Sequence, residues 1–576
     1  MNSPDLLIRG GTVVDGTGDD PRVTDILLRD DVIAAVGDGI ETPGCDEIDA
    51  SGLLVTPGFV DVHTHYDGQA TWENTLGPST GHGVTTVVTG NCGVGFAPCD
   101  AGSRDDLVRL MEGIEDIPEV VMTAGLPWAW RTFPDYLDFL GQRSFDADIA
   151  TQLPHAAVRV FAMGKRGMAR EPATEADMDR MRSLAQEAIE AGAVGFSTSR
   201  SVNHKTVDGE PTPSFEAAER ELHMLASGVA RAGRGVLQVI QEFPSAETVP
   251  DRMRLLVELA ERSGRPLSFT LAQFHSAPHS WPEVLRLTEQ AYASGVPVRG
   301  QVFPRPMGML MSIDTTRNPF SASAAYTELA GAPRAQRIAA MSRKQTRALI
   351  IEQARAANVQ AKQRRFDMVF QLRDAGDYEP SVDDSIGARA ARRGVEPDEL
   401  AYDLLLENDG AGMLYAAFAN IFDGSLEPSL AMMKSDATIV GLGDGGAHYG
   451  LICDSSYPTF MLAYWGRDRT KGEKLSVPFI VKSLTQDTAH AVGLDDRGLL
   501  KPGYQADLNL IDFDALQLHV PTVAHDLPSG GKRLTQSATG YRATIKSGQV
   551  TYRDGKPTGA LPGRLVRGAR GADSGN

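Results

Sequence analysis

Residues 174–197 read TEADMDRMRSLAQEAIEAGAVGFS, and this stretch decides the fold. Thr174 with Asp177 three residues on forms a helix-capping pattern, and Met178, Met181, Leu184, Ala185, Ala188 and Ile189 recur at helical spacing. Gly192 stops the helix, and residues 193–197 (AVGFS) read as a buried strand. The same unit recurs outward, with a helical pattern before each of the apolar runs 236–240, 266–270 and 296–302. Helices alternating with buried strands at a spacing of about 30–40 residues predict parallel βα repeats. Counting further outward adds 59–65, 84–89, 158–163 and 438–442, which makes eight strands, the number that closes a (β/α)8 TIM barrel. Residues 303–436, rich in helix formers over 324–361 and 397–406, predict one large insertion above the barrel mouth.

The two ends follow a different grammar. Residues 6–16 (LLIRGGTVVDG) and the runs 25–29 and 32–37 read as short strands and turns, and the pattern returns at 506–512 and 541–550. This predicts an α/β chain in which a small β-sandwich domain is built from both termini, residues 1–56 with 496–576, around a barrel over 57–495. From about Val566 the sequence reads as a mobile tail.

Composition narrows the function. Lys and Arg number 56 against 75 Asp and Glu, a net charge of −19, which argues against nucleic acid and anionic membranes as partners. Four scattered cysteines do not make a disulfide scaffold, and the start MNSPD has no secretory pattern. No apolar run approaches a membrane span. The expectation is a cytoplasmic protein acting on a small-molecule substrate, with homo-oligomerisation left open.

The chemistry concentrates at strand ends. In residues 57–65 (PGFVDVHTH), His63 and His65 lie two apart on a strand, so both side chains enter the barrel and are placed to hold one divalent metal. Cys92 follows the next strand in a Gly-rich turn, within reach of that metal as a thiolate; the alternative is a small buried hydrophobe, the reading given to Cys99 and Cys453. Asp444 ends the last strand in GDGGAH, where a carboxylate can bind metal weakly and move a water proton, or else cap the next helix. Arg200 and His204 leave the fourth strand, and His448 follows Asp444; these three are the candidates for substrate contact. Trp128, Trp130, Met307, Met309 and Met311 suit either an apolar pocket wall or ordinary core.

On residues 7–18 (LIRGGTVVDGTG), 57–65, 90–93 (GNCG), 443–448, 501–507 (KPGYQAD) and 558–564 (TGALPGR), nearly the whole chain resembles the amidohydrolase superfamily and, within it, the N-acyl-D-amino-acid deacylase (D-aminoacylase) family. The resemblance implies a zinc hydrolase of linear amides, with His63, His65 and Cys92 as metal ligands and Asp444 as metal ligand and catalytic acid/base. It also implies metal-binding histidines at the ends of the fifth and sixth strands. Here those stretches read LQVIQEF (237–243) and SFTLAQF (268–274), with Gln241 and Gln273 near the ends and His275 on another register. Gly164-Lys165 stands where Gly-His belongs after the third strand. The expectation is therefore a divergent member with a single zinc ion per chain that cleaves the amide of an N-acyl amino acid. The alternatives are a metal-dependent hydrolase of a lactam, carbamate, formamide or ester, and a catalytically silent ligand-binding barrel.

Overall fold

The computed structural model describes residues 5–360, 366–373 and 377–568. Eight parallel strands follow one another in chain order: Phe59–Asp61, Val84–Thr89, Asp148–Pro154, Gly195–Ser199, Val236–Ile240, Leu267–Leu271, Val298–Val302 and Thr438–Val440. A parallel bridge between Thr64 and Gly445 joins the first to the eighth, so the ring closes as a (β/α)8 barrel. The helix Glu175–Ala191 carries the expected reciprocal cap between Thr174 and Asp177, and Gly192 ends it at φ +119°.

Seven of the eight expected strand segments are strands; the third is not. Residues 158–163 belong to the helix His155–Met163, and the barrel strand is Asp148–Pro154. A short apolar run buried on all sides carries no periodicity that separates helix from strand. The true strand conceals itself with Asp148, Thr151 and Gln152, all buried. Lys165 consequently sits exposed at the start of a separate short helix, Lys165–Met168, rather than at a strand end.

Strands from both ends of the chain share one nine-stranded sheet. Leu508–Ile511 pairs antiparallel with Leu54–Pro57, and Tyr541–Lys546 lies on its other side. Leu6–Val13 pairs with Leu54–Pro57 and Arg22–Arg29, which forms a hairpin with Val32–Gly37. The segment expected as a tail begins as part of the mesh: Val566 N–H donates to Ile149 O at 2.8 Å and Gly568 N–H to Gly192 O at 3.0 Å. Residues 569–576 lie outside the described residues.

Between the seventh and eighth strands the chain builds helices, including Arg334–Met341 and Pro397–Gly410, around a separate apolar cluster. It also builds a three-stranded antiparallel sheet from Met307–Met311, Leu414–Ala419 and Val369–Gln371, so Met307 to Met311 form a strand. This insertion is tied to barrel strand ends by Asn420 N–H to Gln273 O, 2.8 Å, and Leu310 N–H to Leu451 O, 2.7 Å. Trp128 and Trp130 pack on each other and on Phe96, Tyr136 and Phe139. Among the described residues no helix is long and apolar enough to cross a membrane.

Candidate metal centre

The first strand stops at Asp61, and the next four residues are bound on both sides. Thr64 N–H donates to Val88 O at 3.0 Å, and His65 N–H to Gly445 O at 2.7 Å. Asp444 N–H returns a bond to His63 O at 3.1 Å. Strand pairing therefore carries Asp444 to the two histidines although 378 residues of chain separate Asp444 from His65. On the other side the turn 90–93 packs so tightly on the third strand that a Cβ on Gly90 would lie 2.1 Å from Gln152 O. Cys92 there adopts φ +56°, and Asp444 and His448 adopt +46° and +52°. Left-handed backbone at three non-glycine residues of one site is strain of the kind that gathers where chemistry is placed.

His63, His65 and Cys92 bring their ligand atoms within 4.8 Å of one another, all buried. Cys92 Sγ lies 3.5 Å from His63 Nε2. Asp444 Oδ1 lies 3.4 Å from His63 Nε2 and 3.8 Å from His65 Nε2. His63 is oriented by Gln301, whose Oε1 accepts from Nδ1–H at 2.8 Å while its Nε2 donates to Ser268 Oγ at 2.9 Å. That arrangement leaves the His63 Nε2 lone pair facing the thiol and the carboxylate.

Burial drives each group toward its neutral form. It lowers the His63 imidazole, against the pull of Asp444, and lowers His65 further with help from His63 and His448. It pushes the Cys92 thiol well up, with Glu115 and Asp444 adding to the effect, and it pushes Asp61 up to about 7. Both ring nitrogens of His65, Asp444 Oδ1 and Glu115 Oε1 are buried without a hydrogen-bond partner among the described residues. Such atoms are costly unless something answers them. Imidazole nitrogens, a thiolate and carboxylates are the donors zinc takes; a dication among them reverses the pressure on the thiol and the carboxyls and favours the same neutral imidazoles that burial does. The residues present fit a metal.

The remaining candidates separate. His204 is half-buried beside the cluster, lowered to about 3 by desolvation and by His448 and His63, and its Nδ1 bonds Ser199 Oγ at 2.8 Å. His448 Nε2 lies 3.8 Å from Asp444 Oδ2 and 3.6 Å from Glu115 Oε2. Arg200 turns elsewhere, donating to Ala217 O at 3.0 Å, near Glu219, Glu216 and Arg252. Gln273 Oε1 accepts Phe422 N–H and His275 N–H donates to Phe418 O, so both serve the insertion. Gln241 Nε2 donates to Glu242 O. Cys99 and Cys453 are buried free thiols.

Two participants escape sequence reasoning, Glu115 and Gln301. Glu115 carries a readable signal: it falls four residues beyond Met111 and eight beyond Leu107, on the buried stripe of its helix, where a carboxylate has no packing role. Gln301 offers only the weaker sign of an amide facing into a barrel strand.

The amidohydrolase family matches residues 46–552. A D-aminoacylase of Alcaligenes xylosoxydans xylosoxydans is 37% identical over 194 residues, which is 34% of this chain and 37% of that protein. The chain thus spans little more than a third of the length of that curated relative. Among solved structures, a D-aminoacylase described by its binuclear metal centre, with one-metal activation and second-metal attenuation, superposes with a TM-score of 0.65 at 22% identity, covering 98% of this chain and 100% of that one. The N-acyl-D-glutamate deacylase of Bordetella bronchiseptica, solved with zinc and a phosphonate inhibitor, gives 0.62 at 21% identity over 98% and 100%. At these identities the likeness establishes the shared fold.

Proposed function

Because the chain belongs to the amidohydrolase family, we propose that it is a metal-dependent hydrolase of a linear amide C–N bond, with an N-acyl amino acid as the substrate class. The observation that carries the reading is the buried cluster of His63, His65 and Cys92, with Oδ1 of the partly buried Asp444 3.4 Å from His63 Nε2. These four would hold one zinc ion, which supplies the Lewis acidity that polarises a carbonyl and makes water nucleophilic near neutral pH.

The chain's own residues divide the remaining work. Asp444 holds the metal through Oδ1, and its Oδ2, on the His448 side, would take a proton from the attacking water as the new C–O bond forms. It then delivers that proton to the nitrogen as the C–N bond breaks. Gln301 keeps His63 Nε2 free of a proton. His448 borders Asp444, and His204 lies beside His448 and His63, so both are placed for substrate contact. Arg200, bonded to Ala217 O, stands further out and would meet only a substrate carboxylate that extends past the histidines. One ion suits the residues better than two, because Gln273 is committed to the insertion and an amide oxygen such as that of Gln241 is a poor zinc donor. Unpaired buried thiols suit a reducing, cytoplasmic setting.

Elemental analysis of purified protein should return about one equivalent of metal, and Cys92→Ala should lose most of it. The same preparation, screened against N-acyl-D-amino acids, N-acyl-L-amino acids and simple amides, should hydrolyse one of these sets. Metal-replete protein inert to all of them would overturn the proposal.

A further inference from the structure

The helix Arg104–Glu115 lies in the connection between the second and third barrel strands, away from the strand ends that supply the other donors. Its last residue sends a carboxylate, with its side chain 2% exposed, into the cluster. The helix end is fixed by the same loop that carries Asp444: Glu115 O accepts His448 N–H, and Asp116 Oδ2 accepts Gly450 N–H at 2.9 Å.

Among the described residues nothing in hydrogen-bond distance explains that carboxylate. Oε1 has no partner among the described residues. Oε2 lies 3.5 Å from His65 Nε2 and 3.6 Å from His448 Nε2, beyond the roughly 2.7–3.2 Å of an N–H···O bond. Two donors at a tetrahedral angle on one ion, with bonds of about 2.0–2.1 Å, stand roughly 3.3–3.5 Å apart. That is the separation of Glu115 from His65, and it recurs between His63 and Asp444, 3.4 Å, and between His63 and Cys92, 3.5 Å. His65 in turn has both ring nitrogens unpartnered. A cation between them answers the carboxylate and the His65 Nε2 at once.

We propose that Glu115 is a further ligand of the metal held by His63, His65 and Cys92, delivered by a helix outside the barrel strands. This rests on the metal reading above. With Cys92 as thiolate and Asp444 ionised, Glu115 adds a third anionic donor, so the ion is held more tightly than the strand-borne set alone would hold it.

The test is Glu115→Gln, which keeps shape and removes charge. Metal-stripped wild type and variant are titrated with zinc against a competing chelator, and with cobalt(II) followed by visible absorption. The expected result is an affinity loss of more than about 100-fold, beyond the 10–100-fold that a merely orienting partner costs. The cobalt ligand-field bands should shift while the thiolate charge-transfer band from Cys92 persists. Metal-free Glu115→Gln should melt no lower than metal-free wild type, since glutamine leaves no charge to bury. Equal affinity with an identical cobalt spectrum would overturn the inference and leave the metal reading standing. Wild type that takes up neither metal would remove both. Should Glu115→Gln not fold, Glu115→Asp, which retracts the carboxylate by one methylene, decides on the same spectrum: a shift supports coordination, and no shift removes it.

Discussion

At the N-terminal ends of the barrel strands, Asp148 accepts from Arg497 Nη1 at 2.7 Å, from Arg564 N–H at 2.9 Å, and pairs with Lys546 Nζ at 2.9 Å. Lys546 also pairs with Asp507 at 2.9 Å, and Arg497 also donates to Thr86 Oγ1 at 2.8 Å. At the opposite ends of the same strands, His65, Asp444 and Glu115 hold buried atoms with no such partner. Asp148, Arg497 and Lys546 at one end and His65 and Glu115 at the other are all buried. The difference shows in the acids. Burial alone would raise Asp148, but Lys546 and Arg497 overcome it and hold that carboxyl below the usual range. Glu115 is driven well above its usual range by burial, with Asp444 and Asp67 adding to it. One end answers its charges internally and so ties the terminal sheet to the barrel; the other leaves them for something the chain does not contain.

Breaking the satisfied end gives the largest expected effect. Arg497→Met strips Asp148 of one of its two cationic partners and should cost about 3 kcal/mol, since half of a buried ion network is worse than none. Denaturant unfolding would measure it. The folded fraction should keep the wild-type affinity for zinc, and a parallel loss of affinity would mean that the two ends are coupled and the contrast is false.

Breaking the unsatisfied end should leave stability alone and remove chemistry. Asp444→Asn should keep the fold and bind metal while lowering turnover by about 10²-fold or more, about 2.7 kcal/mol of transition-state stabilisation. Steady-state kinetics on the best substrate of the amide screen, with metal content checked alongside, would show it. Near-normal turnover would take Asp444 out of the proton transfer.

The contrast also explains what could be read before any coordinates. The βα repeat, the eight-strand count and the placing of His63, His65, Cys92 and Asp444 at one end of the barrel are legible because each sits on or directly after a strand, where period two and Gly-rich turns fix direction. The third strand is not, because residues 158–163, apolar but for Arg159, read as a buried strand while residues 148–154 carry the buried polar groups that clamp the barrel's far end. Glu115 is not, because its partners come from segments remote in sequence and its only local mark is a carboxylate on an apolar stripe. Sequence pattern reports local geometry well; it reports poorly on charge that is made sense of only by a distant loop.

Gln301 sharpens the comparison most finely, since it is a satisfied residue embedded in the unsatisfied end. Its amide is 2% exposed, and it spends Oε1 on His63 and Nε2 on Ser268. Gln301→Leu keeps the volume but leaves His63 Nδ1–H without an acceptor, so nothing holds the proton off Nε2 and the ring is free to turn. The expected outcome is a 10–100-fold weaker zinc affinity, about 1.4–2.7 kcal/mol, with the fold preserved. Gln301→Glu puts a charged acceptor behind the same nitrogen, makes the imidazole a stronger donor, and should hold zinc at least as well as wild type. Chelator competition on the pair of variants decides the matter: opposite signs establish Gln301 as the residue that orients His63, whereas equal losses would mark it as packing and return His63 to the same unanswered state as His65.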